Sequence, residues 1–349
     1  NLMSLVVSGI QKSVHAAYKT KAKRNSVSKT ALYNKLSGVE LIVSQALVRE
    51  TAQDLKELVK LLGGEQREIL PGYCIKVVDG TCLKGTDHRL KAIRNMAASA
   101  LPGKAIVILD QNSKLVTDIV LIEDGHAQER SEFDSVLNKV SAQDLWCGDR
   151  NFCTLKFLFT IQNKKAFFVI RQHRAMGFKE LEELKPVGST ETGELFEHKV
   201  EINYEGESLI LRRIVLKLFV PTRDKEWEIA IFSNLPETVS AAKIAQIYRN
   251  RWTIESLFQT VTQNFNGEIQ TLAYPKAALF SFSMALVAYN ILTTLRAALA
   301  GIYGIEKIEA GLSNFYLVDE IQGTYRGMMI AIPTSEWEIF QTFSQDKIV

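Results

Sequence analysis

The sequence has only four cysteines in 349 residues, Cys74, Cys82, Cys147 and Cys153, with no C-x-x-C pair and no histidine at zinc-ligand spacing. That scarcity excludes a disulfide scaffold and a zinc finger, and the thiols are expected to be reduced and mostly buried, as in a cytosolic protein. No Gly-rich phosphate cradle of P-loop type occurs, so no ATP requirement is indicated. Internal repeats and low-complexity tracts are also absent. The apolar stretch Leu2–Ile10 is too short for a secretory leader, with no basic residue ahead of it and no small-residue cleavage site. Asn1 in place of an initiating Met implies a start that is missing or processed. One uncharged run, Ala277–Leu295, is long enough to span a bilayer. Ser281, Ser283, Tyr289, Asn290, Thr293 and Thr294 dilute it, and a helix buried inside a large domain is the favoured reading, with no membrane partner.

Acid is missing from one region altogether. Residues 1–39 contain no Asp or Glu but carry Lys12, Lys19, Lys21, Lys23, Arg24, Lys29 and Lys35. Such a patch tracks phosphates or is simply a solvated face. The net charge of +3 is too small to imply nucleic acid by itself. What is present, 46% apolar and 23% charged residues, describes a soluble globular chain long enough for two or three structural units.

Residues 1–70 read as helices. Ser28 caps a short helix that presents Lys29, Thr30, Tyr33 and Asn34 on one side, with Ala31, Leu32 and Leu36 available for packing, like the second helix of a helix-turn-helix. A second helix spans Glu40–Leu62 and stops at Gly63-Gly64. From Pro71 the period changes. Cys74–Asp79 is a short strand after which Gly80–Gly85 turns away, and Lys104–Asp110 with Lys114–Ile122 form a hairpin. A helix over Glu129–Val140 and a strand Asp144–Gly148 follow. This order predicts an α/β fold, a mixed sheet with helices packed on it. Residues 163–235 read as strands, Ala166–Ile170, Glu194–Ile202, Leu209–Phe219 and Trp227–Ser233, and beyond Gly301 the signal weakens to short helices and loops.

Ser240–Gln263 reads as one amphipathic helix, uninterrupted by Gly or Pro, with Tyr248, Arg251, Glu255 and Thr262 in one sector beside an apolar stripe of Ile247, Ile254, Phe258 and Val261. Alone, Arg251 and Glu255 are an ordinary i, i+4 surface pair. Two further carboxylates change that weighing: Asp79 at the end of the first strand and Asp149 just after Gly148. Converging carboxylates need a counter-charge, and at phosphodiesters Mg²⁺ is the usual one. Asp110 competes with Asp79, but its Asp-Gln-Asn-Ser setting is better explained as hairpin-turn chemistry. His126 reads by default as a solvated turn residue, with a place near the site as the alternative, and Arg171, His173 and Arg174 as a solvated basic turn that could instead touch DNA.

Taken together, Val78-Asp79-Gly80-Thr81, Gly148-Asp149-Arg150-Asn151-Phe152 and Tyr248-x2-Arg251-x3-Glu255 resemble the DDE transposases of insertion-sequence family four, the group with the Y-x2-R-x3-E-x6-K signature. The resemblance covers most of residues 20–300 and implies an RNase H-like core over 71–160 and 236–301. It also implies a β-rich insertion over 161–235, a DNA-binding helical region over 1–70 and a C-terminal segment over 302–349. Carried over, Asp79, Asp149 and Glu255 are the catalytic metal-binding triad, with two Mg²⁺ expected and Mn²⁺ as a substitute, while Tyr248 and Arg251 contact phosphates. Trp252 is expected to pack in the interior, with stacking on a flipped base as the alternative the resemblance offers. The family's Lys is replaced by Thr262, which leaves Lys243, Arg249 or Arg150 to supply positive charge to DNA. The implied activity is cleavage at terminal inverted repeats and transfer to target DNA, by in-line attack of water and then of the exposed 3′-OH. A homodimer on paired ends in the bacterial cytosol, at the nucleoid, is implied as well. The competing readings are a nuclease that does not join strands and a repurposed, inactive DNA-binding protein.

Overall fold

A computed structural model describes residues 2–20, 27–65, 68–83, 103–269, 272, 274–332, 336 and 342. Lys21, Lys23 and Arg24 of the basic run, and Lys84 and Gly85 of the turn expected after Asp79, lie outside the described residues. Among the described residues the helices α1 (Leu2–Val7), α2 (Val14–Thr20), α3 (Lys29–Ser37) and α4 (Leu41–Leu61) come first. The Ser28 hydroxyl accepts the Ala31 N–H and so caps α3 as its sequence predicts. Met3, Leu5 and Val6 join Val14, Ala17, Leu36 and Ala277 in a small apolar cluster of their own.

The strands β1 (Cys74–Cys82), β2 (Lys104–Asp110), β3 (Val116–Ile122), β4 (Asp144–Gly148) and β5 (Phe167–Arg171) lie in the order β3-β2-β1-β4-β5. The first three are antiparallel, β4 joins β1 in parallel and β5 joins β4 in parallel, which is the mixed sheet the sequence predicts and the RNase H-like arrangement the resemblance implies. Both faces are covered. Ala105, Val107 and Leu109 of β2 enter one apolar cluster, while Ile106 and Ile108 enter the other. Burial on both faces explains why these strands read as continuous apolar runs. On one side lie α5 (Phe133–Leu137) and α6 (Leu155–Asn163). The expected helix over 129–140 is shorter than its pattern: Glu129–Glu132 is a 3₁₀ turn and only Phe133–Leu137 is α-helical.

Two sequence boundaries move. β1 does not turn away at Gly80 but continues to Cys82, because Thr81 and Cys82 still pair with Ala105 and Lys104. Asp79 therefore sits inside a strand. The strand read over Ala166–Ile170, the first of the insertion, is Phe167–Arg171 and pairs in parallel with β4, so the core sheet runs through it. From there the strands β6 (Lys179–Glu180), β7 (Lys185–Thr190), β8 (Gly193–Tyr204), β9 (Glu207–Leu218) and β10 (Glu228–Ser233) extend the same sheet, β10 docking antiparallel on β5. Among the described residues the β-rich stretch and the core strands form one ten-stranded sheet.

The helix expected over 240–263 is broken. It comprises α7 (Ala241–Arg249), a 3₁₀ turn Asn250–Trp252, and α8 (Thr253–Asn264). Three residues at about 120° instead of about 100° re-phase α8 against α7 by roughly 60°. Then come α9 (Pro275–Tyr303), α10 (Ile305–Gly311) and α11 (Asn314–Ala331). Among the described residues α9 is the one helix long and apolar enough, by length and composition, to cross a membrane, and 56% of its most apolar window is buried in the protein. Its Leu279, Phe282 and Leu286 pack with α4, α7 and α8 over the sheet.

Buried Asn290 explains one polar residue of that run. Its Oδ1 accepts the Val116 N–H at 2.8 Å and its Nδ2 donates to the Val116 carbonyl at 2.9 Å, beside the register shift of β2 on β3. Asn290→Leu would strand both backbone groups, and a loss of about 2–4 kcal/mol in urea unfolding is expected. An unchanged midpoint would show that Val116 finds other partners.

Candidate active site

Register places the two aspartates side by side. Val78 on β1 pairs with Gly148 on β4, and Gly148 pairs with Ile170 on β5, so one residue beyond these pairs Asp79 of β1, Asp149 just past the end of β4 and Arg171 of β5 follow in one row. Neighbouring strands lie about 4.8 Å apart. Asp149 keeps an extended backbone (φ −79°, ψ −176°) and its Oδ1 accepts the Asn151 N–H at 2.9 Å, opening a 3₁₀ turn Arg150–Phe152. Asp110, the rival candidate, is committed elsewhere: Oδ1 accepts the Asn112 and Ser113 N–H groups and Oδ2 accepts from Lys56 Nζ at 2.9 Å. It is a hairpin-turn residue, as its sequence setting predicts.

Glu255 reaches the row from α8, which packs over β1 through Ile254, Leu257 and Val261. Arg251 links the two elements. Its Nη1 lies 3.0 Å from Asp79 Oδ2 and its Nη2 lies 3.2 Å from Glu255 Oε1. The Arg251 side chain is 10% exposed, that of Asp79 20% and that of Glu255 46%. Burial works against the arginine's charge, but Tyr248 and Asp79 more than offset it and hold its pKa above the ordinary value. Tyr248 is buried at 6% exposure with the guanidinium over its ring at 5.8 Å, so it supports Arg251 from beneath rather than facing outward to a phosphate. Trp252 reverses its expectation of interior packing: at the end of the 3₁₀ turn it is 62% exposed, on the wall of a cleft of about 760 Å³ also lined by Phe219 and Tyr248.

Burial pushes the Asp79 carboxyl up to about 7, with Arg251 opposing and Asp149 and Glu129 adding like charge. Between its ordinary value, 3.8, and about 7 the folded chain holds a proton that the unfolded chain has released. The protein's stability in a chelator should therefore fall as pH rises through that window, and Asp79→Asn should flatten the slope. Urea unfolding at intervals from pH 4 to pH 8 checks this; a rise in stability over the same range in the wild type would refute the assignment.

Glu129 is a fourth carboxylate that the sequence reading did not single out. A Cβ added to Gly80 would lie 2.4 Å from its carboxyl carbon, so glycine after Asp79 is what admits Glu129 to this position. Asn151 Nδ2 donates to Glu129 Oε2 at 2.8 Å, and Arg130 Nε donates to Asn151 Oδ1 at 3.0 Å. Asn151 thereby ties the 129–132 turn to the Asp149 turn. Its place in the Asp149-Arg150-Asn151 motif was the only sequence signal for this link.

The other residues expected at DNA lie on α3 and in the turn that follows Asp149. On α3, Lys29, Thr30 and Asn34 are exposed and Tyr33 is half-buried. Arg150 Nη2 is 3.1 Å from Glu226 Oε2. Thr262 is exposed, but its hydroxyl already donates to the Phe258 carbonyl at 2.8 Å. Of the proposed substitutes for the missing lysine, Arg249 pairs with Glu191 at 3.3 Å and Lys243 donates to Gln246 at 3.1 Å. Cys74, Cys147 and Cys153 are free thiols, and burial pushes the Cys147 thiol up to about 12.

Among the described residues no three His, Cys, Asp or Glu side chains are gathered closely enough to hold a metal ion. The reason is local, since Arg251 stands between Asp79 and Glu255 as their counter-charge. The donors nonetheless fit a hard cation: adjacent carboxylates on paired strands, one of them pushed towards protonation by burial. Comparison with curated proteins gives no match. Among solved structures the chain is similar to a piggyBac transposase in a cryo-EM synaptic complex with hairpin DNA, at 12% identity and a TM-score of 0.38. That likeness covers 71% of this chain and 56% of the piggyBac chain, so just over half of the latter's length is matched. The model of the transposase DDE domain matches residues 70–291, from the start of β1 into α9. With Asp79, Asp149 and Glu255 all inside that span, the chain belongs to the transposase DDE domain family.

Proposed function

We propose that this chain is a DNA transposase of the insertion-sequence family four type, acting on double-stranded DNA at terminal inverted repeats and then on target DNA. The observation that carries the reading is the Asp79–Asp149 row with Glu255 linked to it through Arg251, inside a transposase DDE domain. Asp79, Asp149 and Glu255 would hold the divalent cations that this family generally uses, two Mg²⁺ with Mn²⁺ as a substitute. Such ions supply activation of the attacking oxygen and neutralise charge on the phosphodiester in an in-line displacement.

The chain's own residues supply position and field. Asn151 fixes the Asp149 carboxylate through its N–H. Arg251, buried and charged, balances the carboxylates and would contact a phosphate near the cut. The exposed Trp252 indole offers a stacking face for a base turned out of the duplex. The exposed side of α3, with Lys29, Thr30 and Asn34, supports DNA contact by the N-terminal region. A homodimer across paired ends, in the bacterial cytosol at the nucleoid, completes the reading.

Incubation with Mg²⁺ or Mn²⁺ and DNA carrying the inverted repeats that flank the coding sequence is expected to give nicks, then joined or hairpin products. Cleavage without joining would select the nuclease, and binding without cleavage the repurposed protein. End binding should weaken steeply with salt, because each phosphate contact releases counterions.

A further inference from the structure

Three arginines converge on one carboxylate beside the Asp149 turn. Glu226 Oε2 accepts from Arg150 Nη2 at 3.1 Å and from Arg171 Nη2, while Oε1 accepts from Arg174 Nη2 at 2.9 Å. The Glu226 side chain is only 9% exposed, whereas Arg174 is 79% exposed and Arg150 34%. Three cations against one anion leave a local excess of two positive charges. Arg150 follows Asp149 directly, and Arg171 extends the Asp79–Asp149 row onto β5, so the cluster lies about one strand spacing from Asp149. Forked guanidiniums around a pair of acceptor oxygens match a phosphate as well as a carboxylate.

Glu226 itself is carried on a short reverse turn. The Thr222 N–H donates to the Glu226 carbonyl at 2.9 Å, the Lys225 N–H donates to the Thr222 carbonyl at 2.8 Å, and Lys225 takes a positive φ of 61°. Regular pairing of β9 with β10 ends at Lys217 and Glu228, with one more bond from the Leu218 N–H to the Trp227 carbonyl. The turn can therefore shift without opening that ladder.

We infer that Arg150, Arg171 and Arg174 form a binding site for a backbone phosphate of DNA next to the scissile one, and that Glu226 fills this site in the DNA-free protein. Entering DNA displaces the Glu226 carboxylate, which holds the three guanidiniums together until then. The identity of the ligand rests on the transposase reading; the site itself rests on the arginine geometry.

Binding of a labelled duplex of arbitrary sequence, in a chelator and across a salt series, tests this without any cleavage. Glu226→Gln is expected to bind about tenfold tighter than wild type, with a log–log salt slope steeper by about one. Arg174→Gln, a surface change that leaves the core intact, is expected to bind several-fold more weakly, with a shallower slope. Equal affinity of Glu226→Gln and wild type would overturn the displacement, whether or not thermal unfolding shows the turn loosened. Unaltered binding by Arg174→Gln would overturn the site. Failure of every form to bind duplex would overturn both this site and the transposase reading, whereas binding insensitive to Glu226 would overturn this inference alone.

Discussion

Glu255→Gln is expected to lower cleavage of end DNA by about a thousandfold or more while leaving end binding within a few-fold. The change keeps the size and hydrogen-bonding reach of the side chain and removes its charge, so α8 should pack over β1 as before through Ile254, Leu257 and Val261. What it removes is the third anionic oxygen donor of a hard-cation site. A thousandfold is about 4 kcal/mol of transition-state stabilisation, within what a positioned divalent ion contributes to phosphoryl transfer. Asp79→Asn and Asp149→Asn should behave alike. Glu255→Gln with wild-type cleavage would remove Glu255 from the site, and Arg251–Glu255 would revert to an ordinary helix pair.

Arg251→Ala is expected to weaken the metal-free fold strongly. Arg251 is buried between Asp79 and Glu255, and its loss leaves Asp79 buried beside Asp149 and Glu129 with only the Gly80 N–H to offset it. Removing one partner of a buried pair costs about 3–5 kcal/mol; Asp79 retains some solvent contact, so about 2–4 kcal/mol is expected here. Urea unfolding in a chelator measures it. Mg²⁺ should then recover more stability in Arg251→Ala than in the wild type, because the ion replaces a counter-charge the variant lacks. Arg251→Lys should not rescue fully, since an ammonium cannot bridge two carboxylates as a fork does. Wild-type stability for Arg251→Ala in chelator would show that the bridge is incidental.

Much of this was written in the chain's periodicity. The runs at 74–79, 104–110 and 144–148 are strands because burial on both faces demands continuous apolar residues, and the first and last of them bring Asp79 and Asp149 side by side in the middle of the sheet. Other features leave no such trace. The break at Asn250–Trp252 carries neither Gly nor Pro, so nothing local marks the turn that buries Arg251 and exposes Trp252. The edge strand β7, exposed along almost all of Lys185–Thr190, has no apolar alternation to announce it. Glu129 and Glu226 reach the site from loops, through contacts 22 to 76 residues apart in sequence, and only the fold shows that their charges are spoken for.

The central claim is that Asp79, Asp149 and Glu255 form a divalent-cation site, with Arg251 as the counter-charge between Asp79 and Glu255. Titration of Mn²⁺ into the protein with end DNA at pH 8, followed by electron paramagnetic resonance, tests it most directly. Two ions bound per chain in the wild type, and loss of binding in Asp79→Asn and Asp149→Asn variants that stay folded, is the result expected. Mn²⁺ binding that is absent in the wild type, or unchanged by both substitutions, would contradict it.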